Sequence, residues 1–334
     1  MPARAAPSTA QTGARHPWYR SPLDRASLRA LCEKDDLRGA ACILLHMGLL
    51  FATGSAVRHC VGAGELLLCL PMLLAHGFIY SFLGWAGAGH ELSHSTVFRT
   101  PRLNRIFLQL FSLLSWNNYI YFQKSHAIHH ARTLVPNVDL EVVLPQRIDW
   151  LNYGLALFLD VQGLYRALRI TLCNSLGRIP GEQGKRLFPA HAAADRQALF
   201  RWARIVFACH VSLATLFVLS AEYVLLLLVT FAPFICTCAN RLLAQAQHFG
   251  MRSGVTDFRQ NARTIVLGAP LRFLYWSMNY HIEHHMYPGV PFFRLPQLHD
   301  KIRHDLPPPT AGLLGAALTL IALNHSQGIR HEGA

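Results

Sequence analysis

Apolar residues in this chain gather in long uninterrupted stretches. Four stretches have no internal lysine or arginine: about 39–57 (GAACILLHMGLLFATGSAV), 63–87 (AGELLLCLPMLLAHGFIYSFLGWAG), 205–220 (IVFACHVSLATLFVLS) and 222–239 (EYVLLLLVTFAPFICTCA). A helix needs roughly 17–25 apolar residues to cross the hydrocarbon core of a bilayer, so each stretch is read as a transmembrane helix. They fall into two close pairs. Arg58 to Gly62 link the first two, and only Ala221 separates the last two. Links this short predict helical hairpins.

The weaker patterns fill in the remainder. Residues 148–172 (IDWLNYGLALFLDVQGLYRALRITL) are amphipathic and interrupted by charge, which predicts helix on the membrane surface. A crossing there would put the third histidine group described below on the wrong side of the membrane. Residues 174–200 are polar and carry Gly and Pro, as expected of a loop or cap. Pro307–Pro309 break the chain before a short apolar stretch, 311–324, predicted to lie at the interface. The organisation expected is a basic N-terminal segment (1–38), a membrane domain (39–304) and a C-terminal tail (305–334).

Composition supports the membrane assignment. Of 334 residues, 52% are hydrophobic and only 15% charged, against about 25% charged in ordinary soluble domains. The net charge of +13 is uneven along the chain. Arg4, Arg15, Arg20, Arg25, Arg29, Lys34 and Arg38 precede the first span, while the hairpin links hold only Arg58. Basic residues stay in the cytoplasm, so the N-terminal side is assigned there. No nucleic-acid motif accompanies the charge, and it is read as contact with anionic headgroups. Residues 1–38 hold no continuous apolar run, so no cleavable signal peptide is expected. The eight cysteines are scattered, and Cys236 and Cys238 are read as small core residues.

The candidate chemistry lies in the 19 histidines. His90 and His94 (HELSH) follow the second span. His126, His129 and His130 (HAIHH) come next, and His281, His284 and His285 (HIEHH) follow the fourth span. Hairpin topology puts all eight on the cytoplasmic side. In a helix, positions i, i+3 and i+4 share a face, so each group presents a patch of imidazoles. A strand would split each triplet between its faces. Eight convergent imidazoles without other partners point to metal, and eight suffice for two ions. Imidazole suits zinc, copper, iron and nickel, so ligand type alone leaves the metal open. HELSH by itself also fits the H-E-x-x-H zinc motif, in which Glu91 would be the general base of a protease. The other six histidines would then be unexplained, and LDVQG (159–163) lacks the form of a distant aspartate ligand. A metal carrier without catalysis is the remaining class.

HELSH, HAIHH and HIEHH, in this order and on this topology, resemble the three histidine boxes of the membrane fatty acid desaturase and hydroxylase family. The stretch NYHIEHHMYPGVPFFRLPQLH (279–299) is similar to the third box and its continuation, and the resemblance runs from about residue 40 to 304. It implies an all-α integral membrane protein. Four transmembrane helices in two hairpins would carry a cytoplasmic helical cap that holds a histidine-rich di-iron site. It implies two iron ions, dioxygen as co-substrate, and oxidation of a fatty acyl or lipid chain to a C=C double bond. It also implies a ninth ligand near the end of the fourth span, for which His248 is the candidate. Where some members carry an asparagine four residues earlier, this chain has Ala244; Gln245 or Asn279 are the alternatives.

No H-P-G-G haem motif and no C-x-x-C pair occurs. A separate ferredoxin-like or cytochrome b5-like electron donor with its reductase is therefore expected, in a bacterial cell membrane with the site facing the cytoplasm. Hydroxylation or ketolation, and desaturation of a small metabolite as in the dihydrorhizobitoxine desaturases, are the alternatives within the family. Glu91 is expected to orient a metal-bound imidazole, and Asp139, Glu141 and Glu283 are further candidates for that role. His46, His76 and His210 lie within spans, where polar residues are functional candidates. Trp116, Asn117, Asn118 and Tyr119 are candidates for shaping a substrate passage. His16, His59, His191, His299, His304, His325 and His331 are expected to take no part in catalysis.

Overall fold

The structure, a computed structural model, describes residues 18–142 and 148–332, with side chains described up to residue 326. Arg4, Arg15 and His16, and the side chain of His331, therefore lie outside the described residues. The architecture is helical. A short α1 (Arg25–Leu31) leads to α2 (Asp36–Gly62), which begins where Asp35 accepts hydrogen bonds from the backbone N–H of Leu37 and Arg38. After a turn at 63–65 the chain returns as α3 (Leu66–Tyr80), continues through a 3-10 turn at Ser81–Leu83, and ends in α4 (Ala88–Ser93). Then follow α5 (Pro101–Leu114), α6 (Tyr119–Ala131), α7 (Trp150–Phe158), α8 (Val161–Ser175), α9 (Glu182–Leu187) and the long α10 (Ala193–Leu219). The last part holds α11 (Cys238–His248), α12 (Phe258–Asn261), α13 (Ala269–Leu274), α14 (His281–Met286), α15 (Leu295–Ile302) and α16 (Gly312–Glu332). Two short parallel strands, β1 (Ile265–Val266) and β2 (Thr310–Ala311), tie this part together.

Among the described residues, three helical segments are long and apolar enough to cross a membrane: Asp36–Gly62, Leu66–Ser93 and Ala193–Leu219. Less than a third of each apolar window is buried within the protein, so each helix keeps apolar surface that a bilayer could cover. The α2 helix outruns the expected 39–57, so Arg58 sits on its last turns and not in a link. The second hairpin turns within 220–222, with Ala221 at φ 57°. The two hairpin tips meet, since Arg58 Nη2 lies 2.6 Å from Glu222 Oε1.

The expected fourth span, 222–239, is not one continuous helix. It runs as a π-helical turn (Leu226–Thr230), a 3-10 turn (Ala232–Phe234) and an extended stretch that bridges Leu159 and Ile235. Pro233 has no N–H to continue a ladder. A broken segment in an apolar setting must find other partners for its carbonyls. They are supplied here by neighbouring side chains. His76 Nε2 donates to Leu228 O (2.9 Å), the Tyr80 hydroxyl to Val229 O (3.1 Å), and Trp116 Nε1 to Thr230 O (2.8 Å). Gly77 is required at this crossing, because a Cβ there would lie 2.4 Å from Ile235 O.

The in-span histidines thus serve the fold. His46 Nε2 donates to Ile79 O and its Nδ1 accepts from Trp276 Nε1 (3.2 Å). His210 Nε2 donates to Leu113 O, and its ring stacks on Trp116 at 3.9 Å. The segment before α6 also makes contacts that hold the fold. Trp116 adopts φ 58°, Asn117 O accepts from Trp202 Nε1, and Asn118 caps α6 by accepting from Ile120 and Tyr121 N–H. Tyr119 packs edge-on against Trp202.

The region read as a surface helix is two helices broken at Leu159–Asp160, and Asp160 pairs with Arg241. Leu151, Leu155 and Phe158 of α7 and Leu168 and Leu172 of α8 are exposed. The C-terminal stretch extends well past residue 324 as α16. It packs on α11 and exposes Leu314, Leu318 and Ile321 along one face.

Candidate metal centre

Short helices bring the histidines together at the end of the molecule opposite the hairpin tips. The nine named from the sequence fall into two groups: His90, His94, His126, His130 and His284, and His129, His248, His281 and His285. Within each group the candidate ligand atoms lie within 4.8 Å of one another. The division follows helix geometry. On α6 the i, i+4 pair His126 and His130 serves the first group, while His129 points to the second. On α14 the assignment is exchanged: His281 and His285 serve the second group and His284 the first. Positions i+3 and i+4 lie about 100° apart around a helix, so adjacent histidines address different centres.

In the first group four Nε2 atoms form a closed circuit. His94 to His126 is 2.9 Å, His126 to His130 3.0 Å, His130 to His284 3.2 Å and His284 to His94 3.1 Å. The unpartnered, buried Nε2 of His90 belongs to the same group. In the second group His281 Nε2 lies 2.7 Å from that of His248 and 3.1 Å from that of His285.

For four of these rings an outward hydrogen bond occupies Nδ1. His126 Nδ1 donates to Glu141 Oε1 (2.8 Å), and His129 Nδ1 donates to Asp139 Oδ2 (2.8 Å). His248 Nδ1 donates to the Asn261 carbonyl (2.8 Å), and His285 Nδ1 donates to Thr133 Oγ1 (3.3 Å), whose own hydroxyl is given to His129 O. A neutral imidazole that donates through Nδ1 keeps only a lone pair on Nε2. Lone pairs at about 3 Å repel, and a cation between them removes the conflict. A square of side 3 Å has its corners roughly 2.1 Å from its centre, the usual metal–imidazole distance. The donor set is thus of a size that could hold an ion.

Electrostatics agrees. Burial, aided by the neighbouring imidazoles, holds His126, His130, His281, His284 and His285 well below the ordinary histidine range. Burial pushes His94 down to about 4 and His248 to about 3. These rings are neutral at pH 7, as metal ligands must be. At His129 burial acts downward, but the hydrogen bond to Asp139 and the charges of Glu141 and Asp139 raise it. Burial raises Glu141 to about 7.

The carboxylates divide by role. Glu91 is fully buried, and its Oε1 lies 3.2 Å from His90 Nδ1 and 3.5 Å from His284 Nδ1. It faces the outer nitrogens of two rings of the first group, a position for orienting imidazoles. Glu283 touches no imidazole of either group. It accepts from Thr264 Oγ1 (2.5 Å) and pairs with His299, which fixes α14 to β1 and α15. Asn279 also serves the scaffold: its Nδ2 donates to Ile265 O, and its Oδ1 is buried without a partner. Gln245 is half-buried on α11, three residues before His248. Neither metal-competent group among the described residues includes Cys236 or Cys238. Two contacts have no signature in the sequence. Thr133 is one, although it sits four residues after His129; the Asn261 carbonyl is the other.

Comparison with known proteins matches the fatty acid desaturase family over residues 65–313. The sphingolipid delta(4)-desaturase DES1-like protein of Arabidopsis thaliana is 27% identical over 209 residues, covering 60% of this chain. The match spans 54%, about half, of that relative's length. With its helical membrane architecture and its paired imidazole groups, the chain belongs to the fatty acid desaturase family.

Proposed function

We propose that this protein is a di-iron, dioxygen-dependent desaturase of a fatty acyl or lipid chain, with its site on the cytoplasmic side of a bacterial cell membrane. The observation that carries this reading is the pair of adjacent all-imidazole groups, one a closed Nε2 circuit of 2.9–3.2 Å. Soluble di-iron bundles use glutamates as ligands, and here the carboxylates sit behind the rings.

Topology supports the orientation. The meeting hairpin tips carry Arg58 and Glu222, while α4, α6 and α14 share the other end. If α2, α3 and α10 each cross, the chain must cross again between Ser220 and His248 for His284 to meet His94. The broken segment 222–237 is then the fourth crossing. The basic N-terminal side assigns the histidine end to the cytoplasm.

Bound iron supplies the oxidising power needed to take hydrogen from an unactivated C–H bond. The protein supplies the remainder. His90, His94, His126, His130 and His284 would hold one ion; His129, His248, His281 and His285 would hold the other. Glu91, Glu141, Asp139, Thr133 and the Asn261 carbonyl keep the Nδ1 protons outward and the Nε2 lone pairs inward. Burial excludes water from the second group entirely, while His94 and His130 leave the first group half-open. For each double bond, two hydrogens leave the chain. Two electrons from a ferredoxin-like or cytochrome b5-like donor and two protons from water complete the reduction of one dioxygen to two waters.

The test is expression with a competent reductase and donor, followed by mass spectrometry of lipids and small metabolites. A lipid lighter by two hydrogens, formed in air and not under nitrogen, is the expected result. A product heavier by one oxygen would redirect the reading to hydroxylation, and identical profiles with and without oxygen would sink both.

A further inference from the structure

One short segment connects the surface to both imidazole groups. Asp139 accepts from His129 of the second group, and two residues on Glu141 accepts from His126 of the first. The segment is held rigidly: Asp139 Oδ2 also accepts from Leu134 N, and its Oδ1 from Glu141 N. Leu134 adopts φ 54°, a conformation a leucine rarely takes, so this turn is fixed by its surroundings.

Outside it lies a cleft of about 550 Å³, with Asp139 and Leu140 on one wall, Gln183 and Arg186 on another, and Met251 and Ser253 on a third. Arg186 donates across it to Asn137 O. Arg132 and Arg252 are exposed beside it on the flanking turns. Lys185 is offset by Glu182 (2.7 Å), but Arg132, Arg186 and Arg252 make no ion pair among the described residues. The cleft is thus a basic surface one hydrogen bond from an imidazole of the metal centre.

We propose that this cleft is the docking site of an acidic one-electron carrier protein, and that electrons enter through the Asp139–Glu141 segment. The inference rests on the di-iron reading above. Each encounter oxidises one carrier by one electron, and two encounters deliver the pair that the reaction consumes. Arginines that lack carboxylate partners steer an acidic partner and set its register. The segment then offers each group a path of one hydrogen bond and one ring.

The test uses the full chain in lipid nanodiscs. Two probes are titrated separately: a soluble plant-type [2Fe–2S] ferredoxin and the soluble haem domain of cytochrome b5. One of them should bind saturably, and more weakly as salt rises. The double substitution Arg132→Glu and Arg186→Glu should weaken that complex at least tenfold while iron content and melting temperature stay unchanged. Arg102→Glu, at an exposed arginine on α5, should leave it within twofold. The docking proposal falls if neither probe binds, if the double substitution has no effect, or if Arg102→Glu weakens binding equally. It also falls if the double substitution instead removes binding to anionic lipid vesicles. Iron content separates the two readings: absent iron overturns the di-iron centre itself, whereas intact iron with unaltered binding overturns the cleft alone.

Discussion

The two imidazole groups are built from the same helices yet differ in environment. The first has five rings, two of them half-exposed, and is backed by the carboxylates of Glu91 and Glu141. The second has four rings, all buried, and is backed by Asp139, a backbone carbonyl and a hydroxyl. On the proposed function, exposure would suit the group that admits substrate and dioxygen. On the same reading, burial would suit a partner that holds its ion and passes charge. The exchanged contribution of α6 and α14 locks the two together, and the His130 and His285 rings stack at 4.4 Å. The two groups are therefore neighbours on a shared scaffold, each with its own set of rings.

The strongest way to break this comparison is to remove one ring from each group. His284→Ala should empty the first site and His281→Ala the second, each abolishing activity and lowering iron from two to one per chain by elemental analysis. Loss of both ions from either variant would show one cooperative site where two are drawn. Next in size are the backing carboxylates. Asp139→Asn should weaken iron binding at the second group, and Glu141→Gln at the first, each by about 10–100-fold, the usual effect of such partners. Iron titration followed by Mössbauer spectroscopy would assign each loss to its site.

Glu91→Gln should act more gently, because an amide still fills the space between His90 and His284. Both ions should remain and activity should fall by about tenfold, near the low end for an outer carboxylate. Complete loss of activity with iron retained would instead make Glu91 a catalytic base. The smallest effect concerns access. A chelator should draw iron from the half-open first group before the buried second, and release in the reverse order would contradict the assignment of exposure.

Much of the site was legible from spacing. The i, i+3, i+4 pattern needs only helix geometry, and it named residues that the structure draws together. The first hairpin was legible too, because its apolar runs are long and its link short. The split of each triplet between two groups was not, since it depends on how α6 and α14 are rotated relative to each other. The fourth apolar run misled for a similar reason. Hydropathy reports affinity for lipid but not backbone continuity, and Pro233 alone does not foretell a π turn and an extended stretch. The donors that make the break tolerable, His76, Tyr80 and Trp116, come from distant helices. His46, His76 and His210 had invited a functional reading, and their bonds to main-chain carbonyls explain their place in the spans.

The sequence by itself determined that the chain is membrane-bound and helical, and which imidazoles belong to one constellation. Hydrophobic length and helical period are local properties, readable residue by residue. The tertiary structure alone decided which ring faces which centre, that Glu91 stands behind two imidazoles while Glu283 stands behind none, and that Asp139 and Glu141 bridge the surface to both groups. Those facts depend on distances of about 3 Å between atoms far apart in the chain, and the distances are set by helix packing.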